Sequence, residues 1–333
     1  MNLPHPRRLP GLLISLLGLA ALARADTAPA PAGGALLHPA AVIQISATPG
    51  KFDFLEIDRP RHRLLAAHEK AGTADVIDLD TRELLARVQT GPAVHIVSDP
   101  KTGNYFISAS DDKKVVVVDG TTFKIINEIP TPGELDALVF DPANRRVFVT
   151  NDEGSHVWVI DADAQKLVGT IDIPGAPEYM LYDAAADRIY LNIKATNQVL
   201  TIDPNAATVV ASWSTEPAHK PHGLGFDPVT RRLFSAGNNG KLAVIDLRSG
   251  RVIAVADIAT GVDQAVFDPT TRRIYCATGL KLSVVQETDD GAQFLGNVAA
   301  PATGKNVAVD LPSGEVWTTY TDGANSYAKS WRP

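Results

Sequence analysis

Seven positions in this chain, each five residues before a recurrent aspartate, hold the side chains best suited to bind or to catalyse. In order they are Asp53, Val94, Asp136, Glu178, His222, Asp263 and Lys305. Four of the seven are acids, whereas 38 acids in 333 residues would place fewer than one there. His95 follows Val94 directly, and His219 opens the run His219-Lys220-Pro221-His222. Carboxylates and imidazoles gathered at one point can hold a divalent cation, and imidazole favours zinc, copper or nickel over calcium. The metal candidates are His222, Asp263, Glu178, Asp136 and His95. A metal held there would activate water while a carboxylate moved protons, a hydrolase chemistry of the lactonase kind. Without a metal, the same residues with Asp53, His219 and Lys305 would seat a small molecule or a peptide. The plainest alternative is a ring of solvated charges softened by Lys51 and Lys305. Loop residues Asn197, Asn238, Asn239 and Asp322 are expected to overhang the same opening.

The elements that must position these residues repeat along the chain. The aspartates are Asp58, Asp99, Asp141, Asp183, Asp227, Asp268 and Asp310, spaced by 41, 42, 42, 44, 41 and 42 residues. Each unit reads as four short strands, as in the stretch from Phe140 to Gly175. A period of that length with four strands per unit indicates a β-propeller with one sheet per repeat. Inner strands are continuous apolar runs, such as Val115 to Val118 and Val157 to Ile160, which suits strands buried on both faces. Fourth strands carry charges such as Glu128 and Asp172, the expected protection for an exposed edge. The last unit lacks a fourth strand, and an orphan strand at Ala41 to Ala47 precedes the first unit. The expectation is an all-β, seven-bladed propeller of four-stranded antiparallel blades, its ring closed by the N-terminal strand.

Residues 1–25 have the pattern of a secretory signal, with Arg7-Arg8, an apolar core from Gly11 to Ala23, and a cleavage site after Ala25. Residues 26–40, rich in Ala and Pro, read as a flexible lead-in, and 41–333 as a single domain. The apolar core is too short to span a bilayer, so the mature chain is expected in the periplasm or secreted, and monomeric. The net charge of −7 becomes −10 without residues 1–25, since 28 basic residues then face 38 acids. Nucleic acid, which needs a basic surface, is disfavoured as a partner. Cys276 is the one cysteine, so no internal disulfide forms, and its apolar strand suits a small buried thiol.

Phe148-Val149-Thr150-Asn151 nearly spells Tyr-Val-Thr-Asn, with related versions at Tyr190-Leu191-Asn192 and Tyr275-Cys276-Ala277-Thr278. With the Asp-Pro turns and the Val-Ile-Asp endings at Val159 to Asp161 and Val244 to Asp246, the chain from Ala41 to Pro333 resembles the YVTN-repeat β-propellers, as an exported bacterial member. That resemblance implies the fold and a binding or surface role, and no shared reaction. The Asp-Pro-x-x-Arg-Arg turns, as at Asp141 to Arg146, are expected to brace their own hairpins. The ring Arg63, Arg146, Arg188, Arg232 and Arg273 is a possible seat for an anionic partner. No covalent-heme Cys-x-x-Cys-His, no Gly-x-Ser-x-Gly and no phosphate loop occurs. The function expected is a ligand- or protein-binding platform at the central opening. No cofactor is established by motif, and a divalent metal is the one the residues allow.

Overall fold

Each repeat aspartate ends a short inner strand, and the sheet it opens stacks on the next one around a common axis. In the computed structural model, residues 1–2 and 35–333 are described. The signal and most of the lead-in lie outside the described residues. Twenty-eight strands run from β1 (His38–Ser46) to β28 (Asn325–Arg332) and make seven four-stranded antiparallel sheets. The inner strands are β2 (Leu55–Asp58), β6 (Ala93–Ser98), β10 (Leu135–Asp141), β14 (Pro177–Asp183), β18 (Pro221–Asp227), β22 (Gln264–Asp268) and β26 (Ala308–Asp310). Six blades are consecutive meanders. The seventh has the order β1, β28, β27 (Glu315–Asp322), β26, so the N-terminal strand completes the last sheet.

The core lies between blades, as double-sided apolar strands require. Val97, Phe106 and Val117 of blade 2 interleave with Leu138, Val149 and Trp158 of blade 3. At the closure, Ile43 and Ile45 of β1 join Trp317 and Ala328 of blade 7 against Leu55, Leu64 and Ile77 of blade 1. Burying each such aliphatic side chain contributes about 1.5–3 kcal/mol. Outer strands alternate, as in Lys166–Asp172, where only Ile171 is buried.

The repeat aspartates are buried and cap their turns, Asp141 Oδ1 accepting from Ala143 N at 2.9 Å. At Asp99 and Asp183 the arginine partner comes from the next blade, whereas Asp58 meets Arg61 of its own turn at 3.4 Å. Arg145 Nη2 donates to Asp99 Oδ2 at 2.6 Å, and Arg231 Nη2 reaches Asp183 Oδ2 at 2.6 Å. The expected local brace is therefore a staple between blades. Of the arginine ring, Arg63, Arg146 and Arg232 donate to the carbonyls of Gly120, Pro204 and Thr288 one blade onward. That ring is occupied with structure.

A buried Ser326, His68 and Asp75 line up as a hydrolase triad would. His68 Nδ1 lies 3.1 Å from Asp75 Oδ2, and Nε2 lies 3.4 Å from Ser326 Oγ. All three are fully buried, and Ser326 donates to Thr48 O, so this is a tie between the first and last blades.

Candidate functional site

The inner strands all begin at one face, called upper here, and end at the aspartates of the lower face. Phe54, Val94, Ala137 and Tyr179 meet midway and block the axis. Phe54 and Tyr179 are 5.4 Å apart between ring centroids. The channel is thus two chambers.

The upper chamber, about 210 Å³, is lined by seven acids: Asp53, Glu69, Asp111, Asp136, Asp152, Glu178 and Asp263. Lys51 Nζ pairs with Asp53 Oδ2 at 2.6 Å and Glu69 Oε2 at 2.7 Å, and Lys194 Nζ with Glu178 Oε1 at 2.7 Å. Two ammonium groups do not offset seven carboxylates. Burial, eased by Lys51, pushes Asp53 up to about 7. Burial followed by the charges of Glu178 and Asp53 holds Asp136 far above the usual carboxylate range. Glu178 is raised mainly by burial, with His222 and Lys194 opposing.

These shifts have a sign. A carboxyl whose folded-state value is raised keeps its proton in the folded form where the unfolded chain has already lost it. Stability therefore falls as pH rises from about 4 through the raised values. Asp136→Asn should unfold at higher temperature than the parent at pH 8, with the difference gone at pH 4. Calorimetric melts at both pH values check it. A variant less stable at pH 8 would refute the repulsion.

His222 stands at the wall between this chamber and a hollow of about 400 Å³ on the upper face. Glu153, Ala176, Lys194, Ala195, Lys220 and Asn238 line the rest of that hollow. The loop before His222 is pinned throughout. Lys220 N donates to Asn197 Oδ1 at 2.8 Å, His219 N to Asn239 Oδ1 at 2.9 Å, and Asn192 Nδ2 to His222 O at 2.8 Å. His222 Nδ1 then meets Lys220 O at 2.7 Å, so the ring proton sits on Nδ1. Nε2 lies 3.5 Å from Glu178 Oε1.

Asp53, Asp136, Glu178, His222 and Asp263 do converge on the upper chamber. His95 does not, because it lies below the block. Its Nδ1 accepts from Leu138 N at 2.9 Å, which puts its proton on Nε2 and leaves no lone pair for a metal. His219 is half exposed and bonds Glu216 at 2.6 Å, outside the chamber. Lys305 does not neutralise Asp53, standing 3.9 Å from Asp263 instead. Among the described residues no group of three or more His, Cys, Asp or Glu side chains is placed to hold a metal ion. Cys276 is buried, its thiol pushed up to about 12 by desolvation.

Glu69, Ser110, Asp152 and Lys194 were not anticipated. Each lies eleven residues after a repeat aspartate, as does Asn238. That register follows the second strand of every blade and would have found them.

A closed ring of seven sheets around a chambered axis defines the molecule as a β-propeller. More particularly, the chain belongs to the cytochrome D1 heme domain family, whose model matches residues 65–268. Among solved structures it is similar to Kuenenia stuttgartiensis hydrazine synthase, with a TM-score of 0.71 and 13% identity. That match covers 85% of this chain and 96% of the other, and at such identity it speaks for the fold alone. No curated protein matches the chain. The family match supports the propeller and does not extend to the YVTN signature. It overturns the cofactor expectation, since the family points to heme and not to an absent cofactor or a divalent metal. The metal-assisted hydrolase falls with it.

Proposed function

We propose that this propeller is a heme-binding platform whose upper face holds the group beside His222. Heme needs an iron ligand, room for a flat ring and cations for its carboxylates. The upper chamber offers none of the room. Its 210 Å³ is below the roughly 300–1,000 Å³ of ordinary ligand sites, and its acids repel carboxylates. The adjoining hollow fits better. Ala176 and Ala195 let a flat ring approach, and Lys220 supplies positive charge, while Lys194 is held between Glu153 and Glu178. Every residue lining it lies within the matched segment.

The observation that carries the proposal is the tautomer of His222. A histidine ligand usually donates its other ring N–H to a carbonyl or carboxylate, which orients it. His222 does so to Lys220 O, with Nε2 3.5 Å from Glu178 Oε1 at the wall of the hollow. When bound, the iron would supply one-electron and small-ligand chemistry. The chain's part is to hold Nε2 in place and, through Glu178 and Lys194, to set the charge around it.

Titrating the protein with hemin and following the Soret band tests this. A saturable shift is expected, lost in His222→Ala and kept in Asp136→Asn. Removing an outer partner of a ligand costs about 10–100-fold in affinity, so losing the ligand itself should cost more. No shift, or the same affinity without His222, would sink the proposal. We further propose that the protein works outside the cytoplasm, on the strength of Arg7-Arg8 and the ending Ala23-Arg24-Ala25. An intact mass beginning at Asp26 is expected, and retention of Met1 defeats it.

A further inference from the structure

We infer that the lower chamber is a separate binding site for a small aromatic hydroxy acid, a rigid molecule with a hydroxyl at one end and a carboxylate at the other. Two cavities below the block, about 310 Å³ and 170 Å³, share Glu56, Arg59, Tyr179 and Leu181 and so form one space. Its walls are unlike those above. Leu138, Phe140 and Tyr182 line one side, and Leu224, Phe226 and Phe267 the other. An apolar space with a few convergent polar groups is the usual form of a small-molecule site.

The polar groups dictate the ligand. His95 is 1% exposed, and its Nε2 finds no hydrogen-bond partner. Because Nδ1 accepts from Leu138 N, Nε2 carries a proton with nothing to receive it. Leaving a buried donor unpaired costs free energy, so the site is built for an acceptor. The nearest candidate, Glu56 Oε2, is 3.8 Å away, beyond hydrogen-bond range. One oxygen atom set to the side of that gap, about 2.8 Å from each, would accept from His95 and donate to Glu56. A hydroxyl does both. A carboxylate oxygen accepts but cannot donate, and Glu56 would repel it.

Arg59 lies three residues after Glu56, in the turn that follows the strand, and is exposed at the lower mouth. It makes no ion pair among the described residues, although it lines the same space as Glu56. A free guanidinium at the mouth suits a carboxylate. Between the two ends, Tyr179 and Phe140 offer ring faces for an aromatic body. An aromatic ring bearing a short acid chain spans from the His95 gap to Arg59.

Calorimetric titration with 4-hydroxycinnamate, using the protein without heme, tests the assignment. Saturable binding is expected, with cinnamate, which lacks the hydroxyl, weaker by at least about tenfold. Arg59→Gln should weaken binding about three- to fivefold, as loss of a solvent-exposed ion pair does. Glu56→Gln tests the inner end and should weaken binding as well. Glu56 is partly exposed and Arg59 exposed, and neither belongs to the packed core, so the variants should fold. His222→Ala should leave binding unchanged, which keeps this site distinct from the upper one. No saturable binding up to about 1 mM would overturn the assignment. So would equal binding of cinnamate, or unaltered affinity in both variants, since an ordered water would then fill the gap.

Discussion

A protein lacking residues 1–48 is expected to show no cooperative melt under conditions where a protein lacking only residues 1–34 melts normally. The longer truncation removes β1, which pairs with β28 at six positions from His38 opposite Arg332 to Ser46 opposite Ser326. It also removes Ile43 and Ile45, 8% and 3% exposed, from the layer between blades 7 and 1. At about 1.5–3 kcal/mol for each buried isoleucine and about 1 kcal/mol for each ladder bond, the loss rivals a typical stability of about 5–15 kcal/mol. Trp331 would be laid open as well, and the ring would present an unpaired edge. Far-ultraviolet dichroism during heating checks it. Equal melting temperatures for the two truncations would show that the ring stays shut without its strand.

Gln264→Leu is expected to cost about 3–6 kcal/mol, although it changes volume little and touches no charge. Gln264 is 3% exposed and acts as a bracket for three blades. Its Oε1 accepts from Leu55 N at 3.2 Å and Val307 N at 3.1 Å, while Nε2 donates to Leu55 O at 3.0 Å. Leucine would leave all three main-chain groups buried and unpaired, at about 1–3 kcal/mol each. Urea unfolding, with an unchanged slope, reads the loss directly. A cost under about 1 kcal/mol would mean that water from the lower chamber replaces the side chain.

The ring was legible because a single residue type kept its spacing. Asp58 to Asp310 marked the blades, and counting five residues back placed Asp53, Asp136, Glu178, His222 and Asp263 at the upper mouth. The same count failed at His95, where one further step along the strand falls below the block of Phe54, Val94, Ala137 and Tyr179. The bracket of Gln264 was not legible. It joins main-chain groups of Leu55 and Val307, which lie 209 and 43 residues away along the chain. The arginine staples were misplaced for a similar reason. A turn motif shows which residues neighbour one another along the chain, whereas Arg145 and Arg231 reach sideways into another sheet. The heme we propose at His222 had no motif to reveal it, because the feature that suggests it is a ring orientation fixed by a carbonyl two residues earlier.

The closure by β1 also sets an order of events. Ala41 N donates to Ser330 Oγ across 289 positions, and His38 faces Arg332. β1 therefore waits for β28 before it can pair. Blades 1 to 6 close on local contacts and can stack as they emerge, while the seventh forms only when β28 has been made. Until then the molecule is an arc with two raw ends, open to strands from other copies. Emergence of β28 is thus the step that turns a sticky intermediate into an edge-protected ring.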